Sequence, residues 1–264
     1  QTLADDLAKQ PIFCFDTEST GLDALTAEIV GLSFSYEQGK AFYVPTPANV
    51  VQAQEIVDIF KPILESKEIK KVGQNIKYDI LLLAKYGVQV QGELFDTMLA
   101  HYLIDPDTRH GMDILAETYL GYTPVSITEL IGGKGKNQGN MRDVELEKIK
   151  EYASEDADIT WQLYERLSPL LIETKTDDLA QKVEFPLVYT LAEIEKNGVK
   201  IDVDTLKTFS ESLEKDIATL ENSIYEKAGV KFNIASPKQL GEVLFDKLQL
   251  DPKAKKTKTG QYAT

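Results

Sequence analysis

The sequence predicts an α/β domain, a mixed sheet flanked by helices, followed by an all-helical segment. Three observations carry this reading. Short aromatic and β-branched runs crowd the first 45 residues, strand and helix spacings then alternate, and beyond Asp177 only helical spacing remains. Taken in order, Ile12 to Phe15 is a short apolar run of the kind a buried strand uses. Glu28 to Tyr36 and Ala41 to Val44 follow as strands joined by the turn Glu37-Gln38-Gly39-Lys40, so the opening reads as an antiparallel meander. Val50 to Leu64 has helical spacing through Val50, Ile56, Val57, Phe60, Ile63 and Leu64. Ile69 to Val72 is a short strand, and a helix through Ile80, Leu81, Leu83 and Ala84 stops at Gly87. From Asp96 the pattern is almost wholly helical. Gly132 to Gly139 is a flexible, locally basic loop carrying Lys134 and Lys136. The change of texture predicts a boundary near residue 175, dividing the chain into 1–175 and 176–264. Ser236-Pro237-Lys238-Gln239 is a capping box that opens a further helix, and Lys253 to Thr264 is Lys-rich, apolar-poor and expected to be mobile.

At 264 residues the chain accommodates one large domain or two smaller ones. Its 42% hydrophobic and 27% charged residues are ordinary globular usage and argue against wholesale disorder. No apolar run approaches the roughly 20 residues of a membrane span. Gln1 to Asp6 has neither the charge nor the apolar core of a secretory signal, and a chain beginning with Gln reads as a piece of something longer. The lone Cys14 excludes an intramolecular disulfide framework, suits the reducing cytoplasm and, between Phe13 and Phe15, is expected to be a buried small hydrophobe. A net charge of −14 excludes a broad basic face for wrapping duplex DNA, but not a small acidic metal pocket that acts on nucleic acid.

The carboxylates are the candidates for such a pocket. Asp16 and Glu18 lie two apart at the end of the first strand, where side chains two apart share a face. Asp79 follows Asn75 at the start of a helix, and Tyr152 and Asp156 are one helical turn apart. Singly, these read as a turn, a helix-start acid favoured by the macrodipole, and a solvated acidic helix. Brought together they repel, and divalent cations relieve the repulsion. Two such ions about 3.5–4 Å apart stabilise the attacking and leaving oxygens in phosphodiester hydrolysis. Tyr152, a weak base at neutral pH, is assigned to positioning an attacking water. His101 and His110 have no ligand spacing, which argues against a zinc enzyme.

Phe15-Asp16-Thr17-Glu18-Ser19, Val72-Gly73-Gln74-Asn75-Ile76-Lys77-Tyr78-Asp79 and Tyr152-Ala153-Ser154-Glu155-Asp156-Ala157-Asp158 resemble, in order, the three exonuclease motifs of the DEDD superfamily. The resemblance is closest to the 3′–5′ proofreading exonuclease domain of bacterial family A polymerases (DNA polymerase I). Phe95 to Leu99, Gly133 to Gln138 and Ile194 to Ile201 extend it over nearly the whole chain. It implies a ribonuclease H-like fold at 1–175, the opening helices of a polymerase domain at 176–264, and excision of nucleoside monophosphates from a DNA 3′ end. It further implies that Asp16, Glu18 and Asp156 hold one metal, that Asp16 bridges to a second, and that Asp79 reaches the second through water. The ions would be Mg²⁺, with Mn²⁺ or Zn²⁺ as alternatives. Tyr152 marks the tyrosine subgroup, since Glu151 stands where the histidine subgroup has His. By the same resemblance Leu22 wedges against the terminal base, Thr17, Asn75 and Lys77 face the strand, and Arg109, Lys134 and Lys136 contact its backbone.

The family's polymerase-site motifs find no match, so the chain is expected to edit and not to synthesise. The partners implied are a single-stranded or frayed DNA 3′ end and the rest of a polymerase polypeptide, in a bacterial cytoplasm at the nucleoid, with no membrane. Two rival readings remain at this point: an RNA-processing exonuclease of the same superfamily, since spacing carries no information about the 2′-hydroxyl, and a non-catalytic scaffold. Leu206, Phe209, Leu213, Ile217, Leu220 and Ile224 form an apolar stripe on one predicted helix, from which weak self-association is expected.

Overall fold

The computed structural model describes residues 1–133, 135, 138–257 and 262. Lys134, Lys136 and Asn137 of the basic loop, and residues 258–261 and 263–264 of the tail, lie outside the described residues. The first compact unit is Gln1–Gly198. It opens with α1 (Thr2–Leu7), β1 (Ile12–Ser19), β2 (Ile29–Glu37), β3 (Lys40–Pro45) and α2 (Val50–Leu64). Next come β4 (Lys70–Gly73), α3 (Lys77–Ala84), β5 (Leu94–Asp96), α4 (Thr97–Ile104), α5 (Met112–Leu115) and α6 (Ile127–Ile131). The long α7 (Leu146–Glu173), the short α8 (Asp177–Leu179) and α9 (Phe185–Asn197) complete it.

Among the described residues the sheet has five strands in the order β3-β2-β1-β4-β5. β1, β2 and β3 pair antiparallel, as the meander predicts, while β4 and β5 join on the other side in parallel. This is the mixed, ribonuclease H-like arrangement. β1 is its centre because Phe13, Cys14 and Phe15 are apolar on both faces and all three are fully buried. The aromatic pairs then lock the layers. Phe13 meets Phe34 edge-on at 6.0 Å, and Phe34 stacks on Phe60 of α2 at 4.8 Å.

β1 runs four residues beyond the predicted apolar run, so Asp16 and Glu18 lie within the strand. The extension is possible because β2 continues to pair there, Asp16 opposite Ser33 and Glu18 opposite Gly31, after β4 has stopped at Cys14. α7 packs across β1, β2 and β3 through its apolar stripe, which includes Ile149, Ala153, Ala157 and Leu163.

The helical segment beyond residue 175 enters the fold in two parts. α9 belongs to the first unit: Phe185 packs on Phe95 of β5 at 5.1 Å, and the Tyr189 hydroxyl donates to the Gly92 carbonyl at 2.9 Å. Compactness therefore extends to Gly198, past the change of sequence texture, because these helices cover the edge of the sheet. The second unit, Val199–Thr264, contains α10 (Val203–Ala228) and α11 (Pro237–Gly241). Asp202 caps the start of α10 and Gly229, at φ 59°, ends it. Ser236 accepts from the Gln239 amide as the capping pattern predicts. All six residues of the Leu206–Ile224 stripe lie on α10 and are exposed. No helix among the described residues is long and apolar enough to cross a membrane.

Candidate active site

The strand period puts Asp16 and Glu18 on one face of β1, and α7 lies over that face. Its residue Asp156 approaches both. One carboxylate oxygen from each of Asp16, Glu18 and Asp156 lies within 4.8 Å of the others. Glu18 and Asp156 are buried, and Asp16 keeps a solvent-facing edge. Among the described residues no Lys, Arg or His is ion-paired with any of the three.

Electrostatics follow directly. Burial pushes Asp16 up from its ordinary 3.8 to about 7. Glu18 is held well above the usual carboxylate range, first by burial and then by the charges of Asp16, Asp156 and Asp79. Burial, then Asp16, does the same to Asp156, opposed by a hydrogen bond from the Tyr152 hydroxyl. Tyr152 itself is pushed far up, mainly by burial and then by Asp156 and Glu18, so its phenol keeps its proton at any physiological pH.

Asp79 stands apart from this trio. Because β4 stops at Cys14, the Thr17 amide on that side of β1 is unpaired within the sheet, and it donates to Asp79 at 3.0 Å. The Thr17 hydroxyl donates to the same oxygen at 2.5 Å. Asp79, on the first turn of α3, is buried and raised by burial and by the charge of Asp16. The two groups are thus electrostatically coupled across β1.

Three of the residues expected to meet a strand share one cleft. Leu22, Asn75 and Lys77 line a depression of about 420 Å³ together with Tyr78, Leu81 and Glu195. Leu22 is 90% exposed at its rim. Asn75 is exposed at φ 55°, and the Lys77 ammonium is paired with Glu195. Tyr78 shapes the opposite rim: its hydroxyl meets Ser19 Oγ at 2.5 Å and donates to the Gly21 carbonyl, fixing the loop that bears Leu22. Arg109 is exposed on the connection after α4. Thr17 faces Asp79 and not the cleft, so its position suits a buttress for that carboxylate. Lys134 and Lys136 lie outside the described residues.

Sequence reasoning missed several groups. Tyr43 packs over Gly31, where a Cβ would overlap its ring, and burial and the charge of Glu18 raise its pKa. Arg142 clamps the ends of β2 and β3, donating to the carbonyls of Thr46 at 2.7 Å and Ile29 at 2.5 Å. Met141, beside it, is buried with Val30 and Ile149, and Tyr43 and Tyr152 pack against them. His101 and His110, unrelated by spacing, have their Nδ1 atoms 2.7 Å apart. A single Tyr, Arg or His has no sequence signal for such roles. Asp96 does have one, as an N-cap before Thr97-Met98-Leu99.

The acidic group fits a divalent cation. Its donors are hard carboxylate oxygens, and among the described residues no cation is ion-paired with them and the buried Ser33 hydroxyl opposite Asp16 has no partner.

A mixed sheet with such a group beneath a long helix is the architecture of a nuclease. Two solved structures share the fold. Brucella melitensis NrnC is 22% identical with a TM-score of 0.61 over 73% of this chain and 88% of its own. The POL domain of Pol1 from M. smegmatis, in complex with DNA primer-template and dNTP, is 25% identical with a TM-score of 0.80 over 100% of this chain and 42% of its own. The model for the 3′–5′ exonuclease family matches residues 1–172, and that for DNA polymerase family A matches residues 203–264. The chain belongs to the 3′–5′ exonuclease family, whose chemistry is hydrolytic cleavage of nucleic acid. It is 40% identical over 98% of its length to DNA polymerase I of Pseudomonas aeruginosa and 37% identical over 96% to that of Rhizobium leguminosarum. It spans 29% and 27% of those two relatives.

Proposed function

We propose that this chain removes nucleoside 5′-monophosphates from single-stranded or frayed DNA 3′ ends, as the proofreading part of a DNA polymerase I in the cytoplasm, at the nucleoid. The observation that carries the reading is the group Asp16, Glu18 and Asp156, with oxygens within 4.8 Å and, among the described residues, no cation ion-paired with them. These three would hold one divalent ion. Asp16 and Asp79 would serve a second, Asp79 through water. Mg²⁺ fits the all-oxygen donors, and Mn²⁺ or Zn²⁺ could take its place. When bound, such ions stabilise charge on the attacking and leaving oxygens.

The protein's own residues do the rest. The Tyr152 phenol, one helical turn from Asp156 on α7 and kept protonated by burial, orients an attacking water by hydrogen bonding and abstracts no proton. Leu22 presents an apolar edge on which a terminal base can stack, and Asn75 offers amide hydrogen bonds across the cleft. Lys77 is available to a phosphate once it exchanges Glu195 for it. Arg109, Lys134 and Lys136 would follow the strand's backbone beyond the cleft. Residues 1–175 are the editing domain in this reading and 176–264 the opening of a polymerase domain.

The test is incubation with 3′-labelled single-stranded DNA and RNA, with Mg²⁺ and then with EDTA. Mononucleotide release from DNA that stops in EDTA and in Asp156→Ala is the expected result. Release at the parent's rate by Asp156→Ala overturns the site. Preferential digestion of RNA moves the chain to RNA processing, and metal binding with no release makes it a scaffold.

A further inference from the structure

Asp96 lies outside the acidic trio and the cleft, yet it is almost fully buried at the end of β5. Its carboxylate accepts from four backbone amides on two helix starts. The amides of Met98, at 2.9 Å, and Leu99, at 3.2 Å, are the ordinary N-cap contacts of α4. The other two belong to the turn before α3: Asn75 at 3.2 Å and Ile76 at 2.9 Å. α3 has no capping side chain of its own, because the residue at its N-cap position is Ile76. Asp96 therefore supplies the missing cap from another strand, and α3 carries Lys77, Tyr78 and Asp79.

The turn that it holds is a strained one. Asn75 sits at φ 55°, a left-handed conformation that a residue with a Cβ keeps only where the surroundings dictate it. The neighbouring side chains reinforce the clamp. The Thr97 hydroxyl donates to the Gly73 carbonyl at 3.2 Å and to the side chain of Gln74, whose amide in turn donates to the His110 carbonyl at 2.9 Å. The residue on each side of Asn75 is thereby tied down, and the Arg109–His110 connection is tied to the same turn.

We propose that Asp96 is a positioning residue for strand binding: by capping α3 in trans it holds Asn75 in its left-handed turn, aimed into the cleft with Leu22 and Lys77. This rests on the functional reading above. Asp96 touches neither substrate nor metal in this arrangement and acts only through Asn75.

The experiment is a double-mutant cycle on the full chain with a 3′-labelled single-stranded DNA and Mg²⁺. Asp96→Ser keeps a short oxygen suited to capping α4 but one that cannot reach Asn75 and Ile76, and Asp96→Asn is the isosteric second variant. Each should raise KM on the order of tenfold, the scale of one lost charged hydrogen bond, with kcat changed much less. In an Asn75→Ala background the same Asp96 changes should move KM by less than about twofold, since the group they aim is gone. Equal KM effects in both backgrounds, or a loss confined to kcat, overturn the proposal, as does an unchanged KM in both variants. A parent chain that releases no nucleotide overturns the functional reading and this inference with it, whereas an active parent with an additive cycle overturns this inference alone.

Discussion

Magnesium should stabilise this protein by an amount that depends on pH in a direction the acidic group dictates. Burial lifts Asp16 from its ordinary 3.8 to about 7, and Glu18 and Asp156 are raised with it. Between those limits the unfolded chain has released a proton that the folded chain keeps. The folded state then binds more protons than the unfolded one, so without metal its stability falls as pH rises from near 4 to near 7. A metal ion needs the deprotonated carboxylates, and its affinity rises over the same interval. The stabilities with Mg²⁺ and with EDTA must therefore diverge as pH rises. At about a hundred times its dissociation constant the ion contributes about 2.7 kcal/mol. For a unit of this size 1 kcal/mol moves Tm by about 2–4 °C, so a rise of roughly 5–10 °C is expected near pH 8. Thermal unfolding followed by circular dichroism, with Mg²⁺ and with EDTA, measures it from about pH 5.5 to about pH 8. The rise should shrink at the acid end and vanish in Asp16→Asn/Glu18→Gln. An equal rise at both ends, or an undiminished one in that variant, would falsify the assignment of the carboxylates.

Tyr152→Phe keeps the ring and every carboxylate while removing the hydroxyl beside Asp156, so single-turnover cleavage should slow on the order of 10²-fold with metal affinity by calorimetry unchanged; a matching loss of metal binding would make Tyr152 structural. Thr17→Val removes the 2.5 Å hydroxyl bond to the buried Asp79 carboxylate and should cost about 1–3 kcal/mol in denaturant unfolding. A variant as stable as the parent would mean that the Thr17 amide alone suffices. The exposed stripe on α10 should give weak, concentration-dependent association, read by sedimentation across about a hundredfold range of concentration. A constant monomer mass, or a dimer insensitive to Leu213→Glu, rejects that.

What the sequence determined by itself was whatever depends on near neighbours along the chain. The meander over Ile12 to Val44, the helical turn that separates Tyr152 from Asp156, and the shared face of Asp16 and Glu18 all follow from a repeat of two or of 3.6 residues. The backbone enforces those repeats whatever else folds around them. The same locality explains why the cap at Ser236 was legible, as it is satisfied within three residues.

Only the tertiary structure decided which local pieces meet. Asp16 and Asp156 are 140 positions apart, and their approach depends on α7 crossing β1 at one height. Thr17 finds Asp79 across 62 residues because β4 ends at Cys14 and leaves an amide free, a matter of strand register that periodicity does not encode. Asp96 caps α4 locally, but its second pair of amides comes from a turn 20 residues away that parallel pairing of β4 with β5 brings alongside. The extent of the first compact unit was set in the same way, by Phe185 and Tyr189 closing on the sheet edge. Local geometry constrains the conformation of each segment, whereas the electrostatics of this site arise from burial and from charges that only the packed sheet and helix bring within a few ångströms.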